Sequence, residues 1–260
     1  MPVHKPTCYP LSHHYGHLIA AWRKVYRTAG LRMEKYGAAD GYPLFFLESQ
    51  RKKEKAPHLF LSAGIHGDES APPTALLEWV KRNPAMVKKL NLLIFPCLNP
   101  WGLVNNRRVN AEGCDLNRSY QDDRVLQTLA HRKVLKGRRF TAALTLHEDY
   151  DAQGVYVYEV PREKVFWSTE LLNAAAKYIP IEPRKWVDKR RMTHGIRSRT
   201  VDINFMPERP ESLHLFFYHA DRAFTLETPS EFFLDTRVDA HVAAIQACAK
   251  LCLKHKKASE

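Results

Sequence analysis

The sequence predicts an α/β fold in a single domain: a central mixed, mostly parallel twisted sheet flanked by helices. Two observations carry that expectation. Short aliphatic and aromatic runs recur along the chain, HLFLSA (58–63), LLIFPC (92–97), AALTL (142–146), GVYVYEV (154–160) and AFTL (223–226). Continuous apolar runs of this kind suit strands buried on both faces. Segments of helical spacing lie between or after them, and alternation of the two is how α/β domains are built. The chain has 260 residues, 45% of them apolar. It has no internal repeat, low-complexity tract or Gly/Ser-rich linker, so residues 1–260 are expected to form one domain with ample core.

The elements follow in order. SHHYGHLIAAWRKVYRTAG sets Tyr15, Leu18, Ile19, Trp22 and Val25 on one helical face, with Ser12 as N-cap and Gly30 as the stop. MEKYGAADGYPLFFLES then gives two β-like runs around AADG, a hairpin, so that residues 1–50 read as a helix and hairpin packed on the core. SAPPTALLEWVKR carries Leu76, Leu77 and Val80 at helical spacing, and EKVFWSTELLNAAAKYI is a second helical stretch. TRVDAHVAAIQACAKLCLKH aligns Val238, Val242, Ile245, Ala249 and Cys252 in one stripe.

Composition narrows the function. The five cysteines, Cys8, Cys97, Cys114, Cys248 and Cys252, are scattered without a Cys-x-x-Cys pair, which argues against a disulfide framework or a thiolate metal site. Cys248 and Cys252 read as buried helix packing. No apolar stretch approaches the roughly 20 residues that a membrane helix needs. A cytoplasmic protein with reduced thiols and no membrane partner is the expectation. Lys and Arg number 40 against 28 acids, a net charge of +12, which raises nucleic acid as a partner. The charge is clumped at HRKVLKGRR (131–139), RKWVDKRRMTHGIRSR (184–199) and the tail KHKKASE, with no nucleic-acid module beside it. The first and last clumps read as solvated faces. The middle one reads as a loop facing an anionic small substrate.

Chemistry gathers where the predicted strands end. After HLFLSA comes His66-Gly-Asp-Glu69; after LLIFPC, Asn99-Pro-Trp-Gly102; after AALTL, His147-Glu-Asp; after AFTL, Glu227-Thr-Pro. Taken alone, GIHGDE is a loop in which Asp68 or Ser70 caps the next helix. Taken together, four segments place ligand-type residues at the carboxyl rim of an α/β sheet, where ligands bind. His66, Glu69 and His147 supply two imidazoles and a carboxylate, the inventory of a hydrolytic zinc site with one position left for water. Glu227 can act as general base. Glu148 is the weaker choice, because it points the other way if its strand continues. NNRRVNAEGCDLNRSY (105–120) adds Arg107, Arg108, Asn117 and Arg118 near Gly113. As a group these suit an oxyanion and a substrate carboxylate.

GIHGDE, NPWG, RVNAEGCDLNR, TLHED and TLETP, in that order, resemble the zinc metallocarboxypeptidase superfamily over roughly residues 58 to 250. That superfamily includes carboxypeptidase A, bacterial murein peptide amidases and, more distantly, succinylglutamate desuccinylase and aspartoacylase; GIHGDE leans toward the murein amidases. The resemblance implies His66, Glu69 and His147 as ligands of Zn2+ and Glu227 as base. It also implies Arg108 at the oxyanion, Asn117 and Arg118 on the substrate carboxylate, and Asp115 behind the first histidine. The mobile tyrosine of carboxypeptidase A has no match in TVDINFMPERPESL, and Tyr218 stands too near the base to be taken as its equivalent. The resemblance therefore implies a zinc-dependent hydrolase of an amide next to a free carboxylate. Its substrate would be a short anionic peptide, with murein tripeptide as a candidate, or alternatively an N-acyl amino acid. A basic nucleic-acid-binding protein is the remaining alternative.

Overall fold

The computed structural model describes residues 12–51, 54–198 and 209–259, with side chains described up to residue 255. Cys8, Arg199, most of TVDINFMPERPESL and the side chains at the end of the basic tail lie outside the described residues.

The first helix, α1 (Tyr15–Val25), buries Tyr15, Leu18, Ile19 and Trp22 as expected. Its cap differs from the expected Ser12. His14 is extended and its Nδ1 accepts the His17 N–H (3.1 Å), so the helix begins two residues later. Gly30, at φ +77°, adopts the left-handed conformation that turns the chain into β1 (Leu31–Ala39), which pairs antiparallel with β2 (Tyr42–Ser49).

The remaining elements are β3 (His58–Ser62), α2 (Ala71–Arg82), α3 (Pro84–Val87), β4 (Asn91–Phe95), α4 (Pro100–Asn105), α5 (Leu126–Leu135), β5 (Ala142–Asp149), β6 (Tyr156–Pro161), α6 (Ser168–Ala175), β7 (Trp186–Val187), β8 (Arg190–Arg191), β9 (Ile196–Ser198), α7 (Glu211–Tyr218), β10 (Arg222–Pro229) and α8 (Leu234–Ser259). Eight strands form one mixed sheet in the order β1-β2-β4-β3-β5-β10-β6-β9. Its centre, β4-β3-β5-β10, is parallel throughout, and β6 returns antiparallel against β10.

Alternate residues of the central strands face opposite layers. Leu59, Leu61, Leu144, Leu146 and Leu226 join the cluster under α1, α2, α6 and α8. Phe60, Phe95 and Ala143 join another with Leu213, Leu215 and Phe216 of α7. Burial on both faces is why these strands read as continuous apolar runs.

Three expectations change. His147, Glu148 and Glu227 lie within their strands, because the parallel register of β5 and β10 runs on to Asp149 and Pro229. HRKVLKGRR, expected as a solvated face, does expose Lys133, Lys136 and Arg139, but its first residues also close α5 and bury His131 and Leu135. The basic 184–199 stretch, expected as a loop, forms the β7–β8 hairpin and the edge strand β9, parallel to β6.

Candidate metal centre

The turn that leaves β3 carries His66 and Glu69, both buried. It packs against the start of α4. A Cβ on Gly67 would lie 1.9 Å from the Gly102 carbonyl carbon, so glycine is required here. Asn99 caps α4 by accepting the Gly102 N–H (2.9 Å), which makes NPWG a support for the metal turn. The helix after the turn, α2, takes its cap from elsewhere. Ser70 makes no side-chain cap bond; the Ala71 N–H instead donates to Glu148 Oε2 (3.1 Å), and Arg237 of α8 holds the other oxygen (2.5 Å). Glu148 thus points away from His147 and serves as a structural tie.

His66, Glu69 and His147 each offer a donor atom, and the three lie within 4.8 Å of one another. His147 Nδ1 is 3.3 Å from His66 Nδ1 and 3.2 Å from Glu69 Oε2. Ligands about 2.0–2.1 Å from one ion at tetrahedral angles stand roughly 3.3 Å apart, so these separations fit a single metal. Glu69 Oε2 and His66 Nε2 are enclosed and have no hydrogen-bond partner. His66 Nε2 faces Asp115 Oδ1 at 3.3 Å, while Oδ2 of the same carboxylate accepts from Arg108 Nε (3.2 Å). Carboxylates so placed fix a ligand imidazole's orientation.

The charges are tightly balanced. Burial opposes ionisation of Glu69, but the two histidines outweigh it and bring its carboxyl down to about 2. Burial likewise opposes a charged His66, yet Glu69 and Asp115 lift it to about 9. Burial holds His147 below its ordinary value. Asp115 is kept well below the carboxylate range because His66, Arg108 and Arg118 overcome its desolvation.

Glu227 stands beside His147 in the β5–β10 register and opposite Tyr156 of β6. Burial, reinforced by Glu69, Asp149 and Asp188, raises its carboxyl well above the usual range; a cation bound nearby would oppose that bias. The DLNR turn is one turn of 3-10 helix, Leu116–Arg118, capped by Asp115 Oδ1 on the Asn117 N–H (2.9 Å). Asn117 Oδ1 accepts the Glu211 N–H at the start of α7 (2.8 Å), which leaves its Nδ2 as the donor group. The adjoining Glu211 is buried, and desolvation pushes its carboxyl up to about 8.

A cavity of about 660 Å³ joins these groups, with His66, Glu69, Arg108, Asn117, Arg118 and Glu227 in its wall. Arg107 is exposed and, like Tyr218, does not line it. The cavity is also lined by residues that sequence reasoning did not single out: Tyr150, Tyr156, Tyr158, Asp149, Arg190 and Arg197. One signal was available for two of them, since the alternation in GVYVYEV sets Tyr156 and Tyr158 on one face.

A family model described as the succinylglutamate desuccinylase/aspartoacylase catalytic domain matches residues 55–155. Among curated proteins, carboxypeptidase SOL1 of Arabidopsis thaliana is 32% identical over 133 residues, which is 42% of this chain and 27% of that protein's length. Two crystal structures described as candidate metallopeptidases superpose closely. The one from Shewanella denitrificans OS217 has a TM-score of 0.82 at 25% identity, covering 93% of this chain and 91% of that one. The one from Shewanella amazonensis SB2B has 0.80 at 27%, covering 92% and 94%. The chain is similar to the metallocarboxypeptidase superfamily in part of its sequence and in its fold. Carboxypeptidase A from Helicoverpa armigera shares the superfamily's fold, with a TM-score of 0.64 at 13% identity over 91% of this chain and 71% of that one. The family-model match spans the three candidate ligands and the Arg108–Arg118 turn, and it ends before Glu227.

Proposed function

We propose that this hydrolase-family protein is a zinc-dependent hydrolase that cleaves an amide bond next to a free carboxylate, a carboxypeptidase or peptide amidase of short peptides. One observation carries the reading. Two members of the three-donor cluster, His66 and Glu69, line a single cavity together with Glu227 and the Asn117–Arg118 pair, and His147 stands behind them within reach of the same ion, so metal, base and carboxylate seat can address one substrate. Zinc held by His66, Glu69 and His147 would supply Lewis acidity toward the scissile carbonyl and toward a water. Glu227 would take a proton from that water and return it to the departing amine. Arg108, already oriented by Asp115 (3.2 Å), would stabilise charge developing on the carbonyl oxygen. Arg118 and Asn117 Nδ2 would hold the carboxylate, a forked and a single donor acting on one anion.

Murein tripeptide, a short acidic peptide, is our leading substrate. The alternative is an N-acyl-amino-acid deacylase, favoured by the family-model match over residues 55–155. Two cations of the basic segment, Arg190 and Arg197, line the cavity, which supports a small anionic substrate over nucleic acid. No helix among the described residues is long and apolar enough to cross a membrane. The free cysteines Cys97, Cys114, Cys248 and Cys252 fit our proposal of action in a reducing cytoplasm.

The test is kcat/KM on murein tripeptide, dipeptides with free or amidated C-termini, and N-acetyl-aspartate. We expect free carboxyl peptides to lead by at least about tenfold, the scale of a charge-assisted contact. Equal rates on free and amidated peptides would refute the carboxylate seat, and preference for the acyl amino acid would install the deacylase reading.

A further inference from the structure

The sheet register places two arginines of the basic segment at the far end of the cavity. Thr145 of β5, Thr225 of β10, Tyr158 of β6 and Arg197 of β9 stand in one row of partners. The next row on the same face, two residues further along, holds His147, Glu227 and Tyr156. With strands about 4.8 Å apart and about 3.3 Å of rise per residue, the Arg197 backbone lies roughly 12 Å from that of Glu227. An arginine side chain reaching in from there meets the end of a substrate side chain, well clear of the scissile bond.

We propose that Arg197 and Arg190, with the Tyr158 hydroxyl, form a second anion subsite, so that the residue seated on Asn117 and Arg118 carries another carboxylate at the end of its own side chain. This rests on the hydrolase reading above and names its substrate class. Several other buried or half-buried guanidinium groups have carboxylate partners: Arg222 with Glu159 (3.4 Å), Arg237 with Glu148 (2.5 Å) and Arg184 with Glu182 (2.7 Å). Arg197 and Arg190 are each half-buried in the cavity wall without an ion pair among the described residues. Arg197 Nη1 donates to the Arg191 carbonyl (3.2 Å), while its Nε is enclosed without a hydrogen-bond partner. Arg190 lies over the Tyr158 ring at 5.5 Å, and the Tyr158 hydroxyl is likewise enclosed and unsatisfied. Two guanidinium forks and a phenol converging on one space are complementary to a carboxylate. Asp188, exposed on the β7–β8 turn, also borders the cavity. It defines the competing case, a side chain that ends in an ammonium group.

The experiment compares zinc-loaded full-length protein on acyl dipeptides whose C-terminal residue is glutamate, glutamine, norleucine or lysine, alongside calorimetric binding of free glutamate and glutamine. Glutamate is expected to exceed glutamine by about tenfold or more in both readouts, mostly through KM in the first, and Arg197→Gln should bring both ratios toward one. Arg190→Gln carries the same comparison if Arg197→Gln does not fold. Equal values for glutamate and glutamine, or a preference for lysine, overturn the subsite. If no substrate is turned over, the hydrolase reading falls by itself, and the binding ratio still decides this proposal.

Discussion

Gly67 and Gly102 meet backbone to backbone, so the turn that carries the metal-site residues is seated on the first turn of α4. A methyl group at position 67 would have to push main chain aside, because its nearest neighbours are the Gly102 Cα and carbonyl carbon and the Leu103 nitrogen. Overpacking of this kind costs about 1–3 kcal/mol or more. Gly67→Ala is therefore expected to lower the urea midpoint and metal content together. A variant with both unchanged would mean that the two segments can slide apart without consequence.

Metal retention should depend on His147 as strongly as on His66, although the two are far apart in sequence. His147→Ala leaves two of three donors and is expected to strip the metal on dialysis. Elemental analysis provides the check; full metal content in the variant would place the site elsewhere.

Glu227→Gln keeps the side chain's shape and removes its capacity to take a proton. Metal content should be normal and kcat should fall about a hundredfold or more. Glu148 cannot substitute, since its oxygens are held by Ala71 and Arg237. Near-normal turnover in Glu227→Gln would assign the proton transfer to another group.

Arg108 and Arg118 should separate kinetically. Arg108→Ala is expected to depress kcat, because an oxyanion exists only near the transition state, whereas Arg118→Ala should act mainly on KM. Steady-state rates on one carboxyl-terminal peptide decide it, and the opposite pattern would exchange the two roles.

Glu211 predicts a pH dependence of stability. In the folded protein its carboxyl holds its proton up to about pH 8 because it is buried, while an unfolded chain releases the proton near about 4.3. Between those values the unfolded state binds fewer protons, so this residue's contribution to stability falls as pH rises and levels off above about 8. Glu211→Gln should flatten that decline, measured as denaturant midpoints at pH 5 and pH 8. An unchanged slope would show that another group carries it.

The central strands were legible because burial on both faces leaves an unbroken apolar run, as in HLFLSA and AALTL. The clustering of His66, Glu69 and His147 was legible for a different reason: few residue types make good metal ligands, and histidine and glutamate are two of them. Relations set by tertiary packing were not legible. The cap of α2 comes from Glu148, 77 residues away in sequence, and no local pattern announces it. Position β9 is a strand because β6 offers it an open edge, which its own Ile-Arg-Ser does not declare. Nor does anything near Gly67 reveal that Gly102 is its neighbour.

The row His147–Glu227–Tyr156 gives the sheet a role as a ruler. The separation between His147 and Glu227, the proposed metal ligand and base, is a strand spacing, fixed by backbone hydrogen bonds on both sides of β10, so no side-chain repacking can drift it by small steps. Arg197 sits on the same scale but on β9, which among the described residues is paired within the sheet from one side alone. The proposed catalytic pair and the proposed anion subsite thus fall on parts of one lattice with unequal freedom to change. Anyone redirecting this protein to a new substrate should edit the hairpin and β9, and leave β5 and β10 as they are.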